Sequence, residues 1–114
     1  MNLLQNQSCE ACRADAPEVS REQAAAWMAE LPEWRLVERD GVAKLIRRYR
    51  FADFVAALAF TNRVAALAEE QQHHPDILTR WGEVELSWWT HKIGGLHRND
   101  FICAARSDAL YRPE

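Results

Sequence analysis

No run of eighteen or more apolar residues occurs in the sequence, which therefore offers no membrane-spanning helix. Positive charge is not in excess either: 14 Lys and Arg stand against 17 Asp and Glu, a formal net charge of −3. That balance argues against a nonspecific nucleic-acid binder, which needs a basic face. The one local basic cluster, Arg47-Arg48-Tyr49-Arg50, falls in a strand-like segment and reads as a solvated strand face. Cysteine is scarce and odd in number, so Cys9, Cys12 and Cys103 make no disulfide framework. Cys9-Glu10-Ala11-Cys12 has CxxC spacing. It lacks the second CxxC of a four-cysteine zinc site and the flanking βαβ pattern of a thioredoxin-like site. Free thiols in a loose tail are the expectation. Internal repeats and low-complexity tracts are absent as well. Met1 to Gln5 has neither the basic start nor the apolar block of a signal peptide, so a cytoplasmic location is expected.

What remains is material for one domain: 114 residues, 48% of them hydrophobic, with five tryptophans for a single core. Residues 1–18 are polar and aperiodic and read as a mobile tail, leaving 19–114 as the domain. Ser20 with Gln23 three residues on forms a helix-start pattern, and Pro32 stops that helix near Leu31. Two strand-like runs, Trp34 to Glu38 and Ala43 to Tyr49, flank Arg39-Asp40-Gly41, a hairpin signal. Phe51 to Gln72 contains no Gly or Pro and predicts a long helix, roughly 33 Å in length. Its apolar face is expected to hold Phe51, Phe54, Val55, Leu58, Ala65 and Ala68. Ile77 to Arg80 leads through Trp81 and Gly82 to a second strand. There Val84, Leu86 and Trp88 alternate with Glu85, Ser87 and Trp89. After a Lys92–Gly95 loop, Asn99 to Asp108 forms a closing helix. The order α-β-β-α-β-β-α predicts an α+β domain, a four-stranded antiparallel sheet with helices packed on one face.

All four histidines, His73, His74, His91 and His97, fall between Glu69 and Asp100. Histidine exchanges protons near neutral pH, with an ordinary pKa of about 6.5. His73 and His74 end the long helix, where the dipole favours an imidazolium that can donate a proton. Pro75 fixes the exit of the chain beyond them. His91 closes the second strand and shares a face with Trp89 if that strand stays regular. Gly94-Gly95 suits a close backbone approach to a ligand. Asp100, near the start of the last helix, is suited to hold a histidine in one orientation or to cap its own helix. A three-histidine zinc site is disfavoured, because no HxH or HxxxH spacing puts two rings on one face. From the residues alone this is an acid–base site of unspecified chemistry.

The same residues resemble a family signature. Glu-x3-His-His-Pro, five residues to an aromatic, nine to a histidine and eight to an aspartate is similar to the pattern of pterin-4a-carbinolamine dehydratases. Glu69, His73, His74, Pro75, Trp81, His91 and Asp100 meet it without a gap. The similarity extends through Tyr49 to Phe54 and Ala59 to Val64, covering roughly residues 20–110. Cys9-Glu10-Ala11-Cys12-Arg13 and Gly95 to Phe101 resemble the bacterial branch associated with phenylalanine hydroxylase. Many members carry Thr or Ser where His97 stands, and histidine is a poorer N-cap.

The resemblance implies a dehydration of the 4a-hydroxytetrahydropterin left by aromatic amino acid hydroxylases, giving the quinonoid dihydropterin. It implies His73 and His91 as proton donors and acceptors, His74 orienting the pterin, and Glu69 and Asp100 positioning the histidines. Pro75 joins Glu69 and Asp100 in substrate binding, and Trp81 walls the pocket. No metal or redox cofactor is implied, since the pterin is the substrate. Homodimers or homotetramers and a functional link to phenylalanine hydroxylase are the implied partners. Competing readings are a non-catalytic regulatory or dimerisation partner, as in animal members, and a metal module using Cys9, Cys12 and histidine.

Overall fold

The computed structural model describes residues 3–7, 9 and 18–111. Helix α1 spans Arg21–Met28, strands β1 and β2 Arg35–Arg39 and Val42–Arg50, and helix α2 Phe54–Gln71. Strands β3 and β4 span Asp76–Arg80 and Glu83–Trp88, and helix α3 spans Arg98–Leu110. Single 3-10 turns at Leu4–Asn6 and His91–Ile93 are added to the expected order. The sheet runs β1-β2-β4-β3 with every pair antiparallel. β1–β2 and β3–β4 are hairpins, and the crossover through α2 places β4 beside β2.

Local chemistry accounts for the boundaries. Ser20 Oγ accepts the Gln23 backbone N–H at 3.2 Å and starts α1. Asp40 and Gly41 both take positive φ, 53° and 78°, the two-residue turn that matches the twist of a hairpin. Asp53 Oδ1 accepts the Ala56 N–H at 2.8 Å, so α2 starts at Phe54, three residues later than the periodicity predicts. Phe51 is left outside the helix, its N–H donated to the Gly82 carbonyl at 2.9 Å.

The core lies between one sheet face and α2 and α3. Leu45, Tyr49, Val84, Leu86 and Trp88 meet Phe60, Val64, Leu67, Phe101 and Ile102 there, all buried. The expected core face of α2 is therefore corrected. Ala57, Phe60, Val64, Leu67 and Ala68 are buried, whereas Phe54, Val55, Leu58 and Ala65 are exposed. This helix is apolar on two sides, and periodicity alone cannot choose between two apolar stripes. Arg47 is also corrected: it turns inward, donating to Asp108 Oδ1 at 2.8 Å, while Arg48 stays at the surface with Glu85. Asp108 also accepts the Trp34 indole N–H at 3.0 Å and the Tyr49 hydroxyl at 2.5 Å. Burial, then the Asp108 charge, pushes the Tyr49 hydroxyl well above the usual phenol range.

Part of the segment expected to be a tail is packed on the domain. Leu4 has no exposed surface and belongs to the core, with its N–H donated to Glu30 Oε1 at 3.1 Å. Cys9 packs against the same core, while Cys12 lies outside the described residues. The reason is apolar burial: the turn at Leu4–Asn6 packs on α3, and Leu4 is taken into the core while Leu3 stays exposed. Leu4→Ala is expected to cost about 2–5 kcal/mol in urea denaturation, the range for a buried leucine. An unchanged midpoint would contradict the packing.

Candidate active site

The site begins where α2 ends. Gln72 takes a left-handed conformation, φ 53°, uncommon for a residue with a side chain, and reverses the chain sharply. The His73 N–H closes the helix on the Ala68 carbonyl at 3.1 Å, and the His73 ring is carried inward. It stacks on Trp88 with centroids 5.5 Å apart and planes 18° from parallel. Only 4% of His73 remains exposed. His74, beyond the same left-handed reversal, is exposed rather than carried inward. Its Nε2 lies 2.5 Å from Glu69 Oε2, in a pair exposed to solvent.

The opposite wall comes from the end of β4. Thr90 and Gly95 exchange backbone hydrogen bonds, N–H to O distances 2.8 and 3.4 Å, pinching off the turn that His91 opens. Gly94, at φ 61°, closes that turn, so the glycines shape the loop that displays His91. His91 lies on Trp89 with centroids 3.8 Å apart, and the Lys44 ammonium sits 4.7 Å above the same indole.

Behind both walls lies Asp100, with no exposed surface. Its Oδ1 is 2.6 Å from His73 Nε2. Its Oδ2 accepts the Thr90 hydroxyl at 2.7 Å and the His97 backbone N–H at 2.9 Å. His97 completes a reciprocal cap, its Nδ1 accepting the Asn99 N–H at 3.1 Å. His97 therefore serves as a working N-cap despite replacing the preferred hydroxyl residue. A carboxylate is acceptor-only, so the contact with Asp100 assigns an N–H to His73 Nε2. Both alternatives read for Asp100 hold together: it orients a histidine and caps its own helix.

Gln72, His73, His74, Thr90, His91 and Lys92 line an open cavity of about 210 Å³. A roomier depression of about 360 Å³ lies elsewhere, between α2, α3 and the N-terminal turn. Its arginines are engaged, Arg63 with the Leu110 carbonyl and Arg106 with Glu70, and it holds no imidazole. The smaller cavity is the chemically equipped one. Among the described residues, no group of three His, Cys, Asp or Glu side chains is placed to hold a metal ion.

Of the residues singled out from sequence, His73, His74 and His91 meet in this cavity, with Asp100 behind and Glu69 at its rim. Pro75 is half-buried at the chain exit and does not line the cavity. Trp81 is not brought to it. It is 72% exposed at the β3–β4 turn, the far end of a hairpin whose other end carries the histidines. The carried-over role of pocket wall is not met by Trp81 within one chain, because antiparallel pairing puts Trp81 a strand's length away. Thr90 is the residue that sequence reading passed over. Its signal was the alternation itself, which places Thr90 on the inward face with Leu86 and Trp88, where a hydroxyl requires a partner.

The sequence profile described as "Pterin 4 alpha carbinolamine dehydratase" matches residues 17–110. A protein of Saccharophagus degradans named "Putative pterin-4-alpha-carbinolamine dehydratase" is 53% identical over 111 residues, covering 97% of this chain and 98% of its own. One of Marinobacter nauticus with the same name is 55% identical, covering 97% of this chain and 100% of its own. A Brucella melitensis crystal structure described as a transcriptional coactivator/pterin dehydratase superposes with a TM-score of 0.75 at 26% identity, over 82% of this chain and 98% of its own. A pterin dehydratase-like protein described as a RuBisCO assembly factor in the alpha-carboxysome gives 0.60 at 28%, over 72% and 93%. Near-complete coverage, together with the gapless signature around the histidine cavity, has one reading: this chain belongs to the pterin-4a-carbinolamine dehydratase family.

Proposed function

We propose that the protein is a hydro-lyase that removes water from a 4a-hydroxytetrahydropterin, giving the quinonoid dihydropterin. The observation that carries this reading is His73, held in one tautomer by buried Asp100 and lining a cavity shared with His74 and His91. In the reaction the C4a–O bond breaks and its electron pair leaves with oxygen, which takes a proton to depart as water. The electron pair of a ring N–H forms the new C=N bond. One group must give a proton and another must take one, which is general acid–base catalysis, typically worth about 10²–10⁴-fold.

His73 takes the ring proton, and the Asp100 carboxylate stabilises the imidazolium that forms. His91, on the opposite wall, delivers the proton to the leaving oxygen, and His74, steadied by Glu69, orients the pterin. Thr90 is a positioning residue acting through Asp100. The substrate arises from a pterin-dependent aromatic hydroxylase, phenylalanine hydroxylase being the partner in metabolism. Cytoplasmic residence fits the free thiols Cys9 and Cys103. A non-catalytic regulatory role is the competing reading, and it would leave the grouping of His73, His74 and His91 in one cavity without a use.

Phe54, Val55 and Leu58, exposed on α2, support self-association of this chain into dimers or tetramers. Leu58→Glu should reduce the mass measured by light scattering to that of a smaller species. An unchanged mass would show that copies meet elsewhere or not at all.

For the chemistry, dehydration of freshly generated 4a-carbinolamine is the assay. His73→Ala and His91→Ala should each lower kcat by about 10²-fold or more. Wild-type rates in both would sink the assignment. Thr90→Val should lower kcat about tenfold with KM little changed, and Thr90→Ser should restore it. A Thr90→Val rate equal to wild type would show that Asp100 needs no hydroxyl partner.

A further inference from the structure

We propose that Cys9 and Cys103 form a peroxide-reactive thiol pair, a modification site that closes reversibly into an intramolecular disulfide. The two sulfurs are separated by 94 positions in sequence, yet their Sγ atoms lie 3.3 Å apart. A disulfide bond is about 2.05 Å long, so closure needs an approach of roughly 1 Å. Cys9, half-buried in the segment ahead of α1, can supply that movement, whereas Cys103 is locked in the second turn of α3. The placement of Cys9 is built rather than incidental. Its backbone N–H donates to Gln71 Oε1 at 2.8 Å, and its sulfur lies 3.8 Å from the Asn99 carbonyl, an acceptor one turn before Cys103.

The two thiols have unequal surroundings, as an attacking and a resolving sulfur require. Cys9 is the more exposed, and the hydrogen bond from Cys103 draws it below the usual thiol range, helped by the Arg106 and Arg98 charges against its burial. Cys103 is pushed up by its hydrogen bond to Cys9 and by burial, which keeps it protonated. The Cys9 thiolate attacks one oxygen of hydrogen peroxide, the O–O bond breaks, and with one proton this yields a sulfenic acid and water. The Cys103 sulfur then displaces hydroxide from the Cys9 sulfur and gives up its own proton to it, forming the disulfide and a second water. Two thiols are oxidised by two electrons and one peroxide is reduced. A dithiol reverses the change. Neither sulfur lines the histidine cavity.

Cys12 is the competing partner and the control. The full-length reduced protein is treated with stoichiometric hydrogen peroxide, alkylated, and examined by intact mass and non-reducing peptide mapping. The expected product is lighter by two hydrogen atoms before alkylation, takes up one alkyl group instead of three, carries a Cys9–Cys103 linked peptide, and reverts with dithiothreitol. Cys12→Ser should behave identically, and Cys103→Ser should leave a Cys9 sulfenic acid that dimedone captures. A Cys9–Cys12 link, a link between chains, or full alkylation of Cys9 and Cys103 after peroxide would each overturn the proposal.

Discussion

One buried carboxylate, that of Asp100, ties the candidate site to the fold. Moving an ion such as that of Asp100 out of water costs several kcal/mol even after relaxation, unless partners replace its hydration. Here three donors do so: the His73 ring, the Thr90 hydroxyl and the His97 backbone N–H. Asp100 also lies in the first turn of α3, where the helix dipole favours negative charge. Those donors come from the end of α2, the end of β4 and the start of α3. Three junctions distant in sequence are thereby tied to a single atom group, and the His73 ring is fixed as a consequence.

The rest of the fold makes that convergence hold. The β2–β4 pairing places Trp88 beneath the His73 ring, and the left-handed Gln72 turns the chain so that the ring can reach it. His74 and His91 are left near solvent while His73 is dry. One histidine is thus held in a buried setting, while the other two, His74 beside Glu69 and His91 on Trp89, stand exposed at the opening. That division suits a reaction in which one proton is removed from a ring and another delivered to a departing oxygen.

Much of this was legible in sequence. The Asp40-Gly41 turn, the alternation in Val84 to Trp88 and the Ser20 cap each act through a local rule, and each stands where expected. The gathering of His73, His74 and His91 was legible because the family spacing brings helix end and strand end together. What local rules could not supply were choices made by tertiary contacts. The buried side of α2 depended on which of two apolar stripes met the sheet, so Phe60 went in and Leu58 stayed out. Trp81 carried the right spacing, but pairing geometry sent it to the far end of the hairpin. Leu4 and Cys9 lay in a segment with no periodicity to betray its packing, and their partners on α3 are nearly a full chain length away.

The central claim, that Asp100 holds the N–H of His73 on Nε2 at a pterin site, is open to direct observation. Long-range proton–nitrogen correlation NMR of the imidazoles, recorded with and without a stable dihydropterin, reads both parts at once. The account predicts an Nε2–H His73 in the unliganded protein, with the resonances of His73, His74 and His91 all shifting on addition of the pterin. An Nδ1–H tautomer for His73, or imidazole signals indifferent to saturating pterin, would contradict it.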